Sequence, residues 1–255
     1  METRFQLPAE IQTMTYKVCK VSTAATDAPG VYSVLFNGDD RFFRRIEVHL
    51  SRDLGDNVLD FIELYGLWCA LVQFELAGHQ RNCGNLKLVV SRGAVKRLLL
   101  SDSSKGELYE TSNALRTQFF GLSGISVEKN KPWTRGDHQA FCVKWDGTPP
   151  PQPSVENPVF GKIYLTHHTL VEYLDETKGE CKPENVFPRL ARVVRDLNRE
   201  VTLPAEVLRH KQHRHAGNQD GVRYLGSMAG WQLVTRPALD RSGLLAITVY
   251  QRQQI

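Results

Sequence analysis

Met14 to Ser51 reads MTYKVCKVSTAATDAPGVYSVLFNGDDRFFRRIEVHLS. Three runs within it, MTYKVCKVST, GVYSVLFN and RFFRRIEVHLS, are rich in β-branched and aromatic residues and mostly alternate apolar with polar. Alternation of period two sends successive side chains to opposite faces of a strand. The runs are separated by DAPG and NGDD, whose Pro, Gly, Asn and Asp supply the turn chemistry of antiparallel hairpins. The expectation is a three-stranded antiparallel meander.

The chain continues with VLDFIELYGLWCALVQFELA, apolar on nearly all sides and preceded by Asp56 and Asn57 as candidate caps. It contains Asp60, Glu63 and Glu75, and a carboxylate at a bilayer centre costs on the order of 2.5 kcal/mol or more, so a buried helix of a soluble protein explains it better. Next come a strand in LKLVVS, a helix in GAVKRLLL, a more polar helix within SSKGELYETSNALRTQFF, a strand in GISVEKN and another in QAFCVKW. DGTPPPQPSVENP, Asp146 to Pro158, carries five prolines. These remove backbone donors and fix φ, which predicts a semi-rigid linker between two domains.

Beyond it, GKIYLTHHTLVEYLDE predicts a short strand or turn leading into a helix. PENVFPRLARVVRDLNREV predicts a helix with Val186, Leu190, Val193, Val194 and Leu197 on one stripe and Arg192, Arg195 and Arg199 opposite. Pro188 is expected to start or kink its regular part. VRYLGSM, GWQLVTRP and GLLAITVYQR complete the chain as strands, so the fold class is α+β in both parts: a mixed α/β first domain and a second with an antiparallel sheet.

Five cysteines, never spaced C-x-x-C, argue against a disulfide framework or a cysteine zinc cage and suit reduced thiols in a cytoplasmic protein. The first residues lack the apolar core of a signal peptide, and no membrane partner is expected. Charge is uneven. Residues 1–158 hold 18 Lys/Arg and 18 Asp/Glu, whereas 159–255 hold 14 and 10 together with five of the eight histidines. An anionic partner such as RNA or another nucleic acid is therefore expected in the second part.

Three strands, a buried helix, then strand, helix and strand is an order that resembles the RNase H-like fold. Active members of that fold hold two divalent metals on acids from the first strand, the first helix and the end of the fourth strand. Here the first strand, YKVCKVST, has no acid and the fourth ends in Ser91 and Arg92; only Asp60 and Glu63 remain. The resemblance therefore implies a catalytically silent domain over residues 1–146, suited to docking nucleic acid or a protein partner, with Asp60 and Glu63 solvated or tied to a basic neighbour. Residues 147–158 are the linker. Gly93 with Arg92, Lys96 and Arg97 marks a helix start where phosphate could sit.

Tyr164 to Gln251, within 159–255, resembles the RelE/BrnT-type toxin fold through THHTLVEYLDE, an arginine-bearing helix and a sheet ending in ITVYQR. His168 matches the family's opening histidine, but Thr169 replaces an alanine and Glu172 an arginine. Such folds cleave RNA without metal or cofactor: a base takes the ribose 2′-OH proton, cations hold the phosphate, and an acid protonates the leaving oxygen. LRHKQHRHAG, Leu208 to Gly217, offers these groups. Arg209, Lys211, His213, Arg214, His215 and Arg223 include imidazoles for proton transfer and cations for phosphate. His213 or His215 is the candidate base, with His168 or Tyr250 assisting. Arg209, Lys211, Arg214 and Arg223 are candidate nucleic-acid contacts, joined by Arg192, Arg195 and Arg199. If extended, the segment presents Arg209, Lys211, His213 and His215 on one face. The leading expectation is an RNA-binding protein with metal-independent endoribonuclease activity. The rivals are a CRISPR-type repeat-processing endoribonuclease with ferredoxin-like domains and a non-catalytic adaptor.

Overall fold

Val18–Ala25 (β1), Val31–Gly38 (β2) and Phe42–Leu50 (β3) form the antiparallel meander that their alternation predicts. They belong to a computed structural model that describes residues 17–39, 42–75, 86–100, 105–122, 124–135, 140–202, 221–239 and 242–252. The chain divides into two compact units, Met1–Pro151 and Gln152–Ile255.

In the first unit Lys87–Val90 (β4) lies parallel to β1, Ile125–Val127 (β5) parallel to β4, and Ala140–Trp145 (β6) parallel to β3. The strand order is β5-β4-β1-β2-β3-β6. One face of every long strand is apolar: Cys19 and Val21, Val34 and Phe36, Ile46 and Val48, Leu88 and Val90, Val143 and Trp145 are buried together. Val58–Trp68 (α1), Gly93–Leu99 (α2) and Tyr109–Gln118 (α3) add Ile62, Leu64, Leu67, Val95, Leu98 and Leu115 to the same core, joined by Leu108 at the N-cap of α3. A β-carbon on Gly66 would lie 2.4 Å from a Val34 methyl, so the bare backbone there is what lets α1 approach β2. The expected single long helix changes register after Trp68, where Cys69–Gln73 forms a π-helical turn. Asn57 stands at the N-cap of α1 but makes no side-chain cap bond.

The second unit has Ser154–Asn157 (β7), Gly161–Tyr164 (β8), His167–Glu176 (α4), Val186–Arg195 (α5), Arg199–Glu200 (β9), Arg223–Gly226 (β10), Trp231–Pro237 (β11) and Leu244–Gln251 (β12). Its sheet runs β7-β8-β12-β11-β10-β9, with β12 parallel to β8 and the other pairs antiparallel. Helices and sheet thus occur in both units, an α+β molecule. Among the described residues no helix is long and apolar enough to cross a membrane.

Several expectations change here, among them the antiparallel second sheet, which is mixed because β8 and β12 pair in parallel. Part of the stretch expected as linker is sheet: Ser154–Asn157 is an edge strand, a position that tolerates the missing donors of its flanking Pro153 and Pro158. In α5, Pro188 is the third helical residue, where a backbone N–H would have no intrahelical acceptor, so the helix begins two residues earlier without a kink. It also ends at Arg195. Arg199 therefore belongs to β9 and not to the helix face carrying Arg192 and Arg195.

Asn157 holds α5 in place. Its buried amide donates to the carbonyls of Val194 at 2.7 Å and Leu197 at 2.9 Å, while its Oδ1 accepts the N–H groups of Val159 and Phe160, both at 2.8 Å. The helix's last carbonyls and the β7–β8 turn are satisfied by one side chain. Asn157→Ala is expected to lower stability by about 2–4 kcal/mol, because it strands buried carbonyls and N–H groups together. The urea midpoint, with hydrogen exchange at the α5 amides, is the measurement.

Candidate functional site

Where the RNase H-like order would gather its metal ligands, the first unit buries two carboxylates. Asp60 and Glu63 are 1% and 0% exposed. They lie three apart on α1 and so face one region at the end of β4. Glu63 accepts the backbone N–H of Ser91 at 2.8 Å and of Arg92 at 3.1 Å, and also the Ser91 hydroxyl. Asp60 accepts from the Arg92 guanidinium and, at 2.7 Å, from Lys105 Nζ. Lys105 also donates to Asn57 Oδ1, and Asn57 donates to Glu107 at 2.7 Å, so the expected cap residue serves this network instead. Lys131 Nζ, donating to Ser22 Oγ at 2.9 Å, brings β1 and the segment after β5 toward the same centre.

The two acids are held differently. Burial pushes the Asp60 carboxyl up, but the hydrogen bonds and charges of Lys105 and Arg92 outweigh it and leave the group below its ordinary value. Burial dominates at Glu63 and raises it, although Ser91, the Arg92 N–H and the Lys131 charge oppose the rise. Two divalent ions would need more anionic oxygen than this. β1 contributes no acid, both carboxylates are committed to protein donors, and two cations touch Asp60. These residues do not fit a metal pair. Just before the helix start at Gly93, where a phosphate is expected beside Arg92, Lys96 and Arg97, the Ser91 and Arg92 N–H groups are occupied by the Glu63 carboxylate.

In the second unit, the THHT motif is first of all a helix cap. Thr166 Oγ1 accepts the Thr169 N–H at 3.2 Å, and both hydroxyls donate to the Ala246 carbonyl of β12 at 3.1 Å. Thr169 thus ties α4 to the sheet. His168 projects outward, 64% exposed, with Nε2 3.6 Å from Glu172 one turn on. Glu172 is therefore the partner of the candidate histidine.

Arg223 forms a two-pronged pair with Glu200, 2.9 and 3.2 Å, and lies over the Phe160 ring at 5.5 Å. The side-chain hydrogen bonds it donates to Glu200 raise the Arg223 pKa and lower that of the carboxylate. Tyr250 lies elsewhere. Across the ladder it opposes Gln232, and it joins Tyr224, Val234, Val201, Val222 and Ile247 in an apolar cluster. Trp231 on the other sheet face stacks on Tyr173 of α4 at 4.8 Å. Tyr250 and the helix bearing His168 thus occupy opposite faces of the sheet, and burial raises the Tyr250 phenol above its ordinary value. Arg192 and Arg195 lie on the exposed face of α5, and no ion pair engages them among the described residues. Arg209, Lys211, His213, Arg214 and His215 lie outside the described residues.

Sequence reasoning did not find Lys105 as a partner of Asp60, the charge of Lys131 near Glu63, nor Glu200 as the partner of Arg223. The signal available was Arg92, a cation standing where the resemblance requires an acid. Asp60→Asn is expected to cost about 1–3 kcal/mol near neutral pH, since it removes the carboxylate charge that Arg92 and Lys105 meet there. Because the Asp60 pKa is lowered by folding, its contribution is present above the unfolded value of about 4 and is lost as pH falls through the folded value. The stability gap between the native chain and Asp60→Asn, read from urea midpoints across acidic pH, should close below that point. Glu63, raised by folding, has the opposite sign and loses its contribution as pH rises through its folded value.

Comparison with protein-family models, with curated proteins and with solved structures finds no match to this chain.

Proposed function

We propose that the protein binds RNA through phosphate contacts made by its second unit, and that the first unit is a catalytically silent scaffold of RNase H-like order. The observation that carries the binding reading is the outer face of α5. Arg192 and Arg195 are three apart, exposed and without an ion pair among the described residues, on a helix anchored by its buried stripe and by Asn157. A guanidinium held on a rigid element and left uncompensated is a ready phosphate contact. The excess of 14 Lys/Arg over 10 Asp/Glu in residues 159–255 gives the same sign to the wider surface. Arg223, already paired with Glu200, contributes less to that face.

The scaffold reading is supported by strand order. Three antiparallel strands with β4 and β5 added parallel beside β1 is the order that the resemblance implies, with β6 added beside β3. The closed Asp60–Glu63 network supports silence at the centre. For the ferredoxin-like rival support is weaker, because α4 and α5 follow one another where that order alternates helices with strands.

Fluorescence anisotropy of labelled single-stranded RNA across a salt series tests the reading. Affinity should fall with salt, and Arg192→Ala and Arg195→Ala should each reduce the log–log slope by about 0.7 per lost phosphate contact. A DNA strand of equal length binding equally well would assign recognition to phosphate itself. Binding that ignores salt, or slopes unchanged in both variants, rules out α5 as the contact.

The sharper reading, metal-independent cleavage, rests on His213 and His215 among their cations. RNA cleavage in EDTA should then occur between about pH 5 and about pH 9 and vanish in the double variant His213→Gln, His215→Gln while anisotropy is retained. Intact binding by the native chain with no cleavage across that range leaves the protein a binder only.

A further inference from the structure

We propose that Glu47, His49 and Cys142 form a zinc-binding site on the first unit's sheet, on the face opposite its helices. One carboxylate oxygen, one imidazole nitrogen and one thiol sulfur from these residues all lie within 4.8 Å of one another. The backbone itself produces the arrangement. Glu47 and His49 are two apart on β3 and so share a face, while their neighbours Ile46 and Val48 point into the core. Cys142 stands directly across from Glu47 in the parallel β3–β6 ladder, and its own neighbour Val143 also points inward. Three donor types are thus presented by two paired strands rather than by loops.

The donors suit zinc in particular. A tetrahedral zinc takes sulfur at about 2.3 Å and nitrogen or oxygen at about 2.0–2.2 Å, which places ligand atoms roughly 3.5 Å apart. Cys142 Sγ is already 3.7 Å from the Glu47 carboxylate, and His49 and Cys142 are exposed side chains with room to rotate the remaining distance. Thiolate and imidazole favour zinc over magnesium or calcium, which want oxygen alone. Thiolate and carboxylate together neutralise the ion, and three protein ligands leave a fourth position for water.

Two cations stand nearby. Arg45 lies 3.2 Å from Glu47, and Lys144 opposes His49 in the ladder. The Arg45 pair is partly exposed and worth about 1 kcal/mol or less, so coordination of the carboxylate can displace it. Among the described cysteines, Cys19, Cys69 and Cys181 are buried and Cys142 alone is exposed. Burial pushes the Cys19 and Cys69 thiols up to about 12, which removes them as competing thiolates.

The full-length reduced chain, freed of chelator, is titrated with Co²⁺ and followed by absorption, then back-titrated with Zn²⁺. The expected result is a thiolate-to-cobalt charge-transfer band with the visible bands of a four-coordinate ion, saturating at a single ion per chain and bleached by zinc. Cys142→Ser should abolish the charge-transfer band while leaving the thermal midpoint unchanged, as befits an exposed side chain. Cys83→Ser should retain the band. Glu47→Gln and His49→Ala should each weaken cobalt binding about tenfold or more. The proposal is overturned if no band develops, if the band survives Cys142→Ser or is lost with Cys83→Ser, or if Glu47→Gln and His49→Ala leave the affinity unchanged.

Discussion

Two carboxylates on α1 have almost no access to water, and the first unit is arranged around satisfying them. A buried, unpaired carboxylate would cost several kcal/mol, so its partners must be delivered by elements distant in sequence. The end of β4 supplies two N–H groups, a hydroxyl and a guanidinium. Lys105 arrives from the segment before α3, while Lys131, after β5, bonds Ser22 and adds its charge near Glu63. The order β5-β4-β1 places these donors at one end of the sheet, and Gly66 allows α1 to lie close enough to meet them. The same bonds that stabilise the acids remove them from metal chemistry. The commitment of both acids to protein donors is the ground for the proposed scaffold function.

The second unit is organised by the ends of its helices. Thr166 and Thr169 secure the start of α4 to β12, and Asn157 secures the end of α5 to the β7–β8 turn. With both helices held in this way, the apolar stripe of α5 is fully used in the core and its arginines are left outward. A rigid exposed arginine loses little further freedom on meeting an anion, and this is the physical ground for the phosphate-binding role proposed for α5. Arg223, equally prominent in sequence, is engaged by Glu200 and Phe160 instead.

Much of this was legible beforehand where a local rule applies. The meander, α1, β4, α2, α3 and the β10–β12 strands follow from apolar periodicity and turn residues, since period and turn chemistry are properties of neighbouring residues. Errors arose where a long-range partner overrode a local signal. The prolines of 147–158 suggested a linker, yet Val155 is buried against the sheet through its pairing with Ile163. Arg199 followed the helical spacing of Arg192 and Arg195, yet β9 pairs with β10 and ends the helix before it. The threonines of THHT cap α4, a role that the motif resemblance does not show. LRHKQHRHAG, the densest group of imidazoles and cations, lies outside the described residues, and its reading still rests on composition.

Sequence by itself determined the α+β class, the concentration of positive charge after residue 158 and the absence of an acid from β1, because each depends only on residue type and spacing. Tertiary structure decided which charges are free. Pairing of Asp60 with Arg92 and Lys105, of Arg223 with Glu200, and of Cys142 with Glu47 spans 32, 45, 23 and 95 residues. Separations of that length carry no periodic signature. Only the strand order and register bring such groups within a few ångströms, and at that range Coulomb and hydrogen-bond energies become large enough to settle their roles.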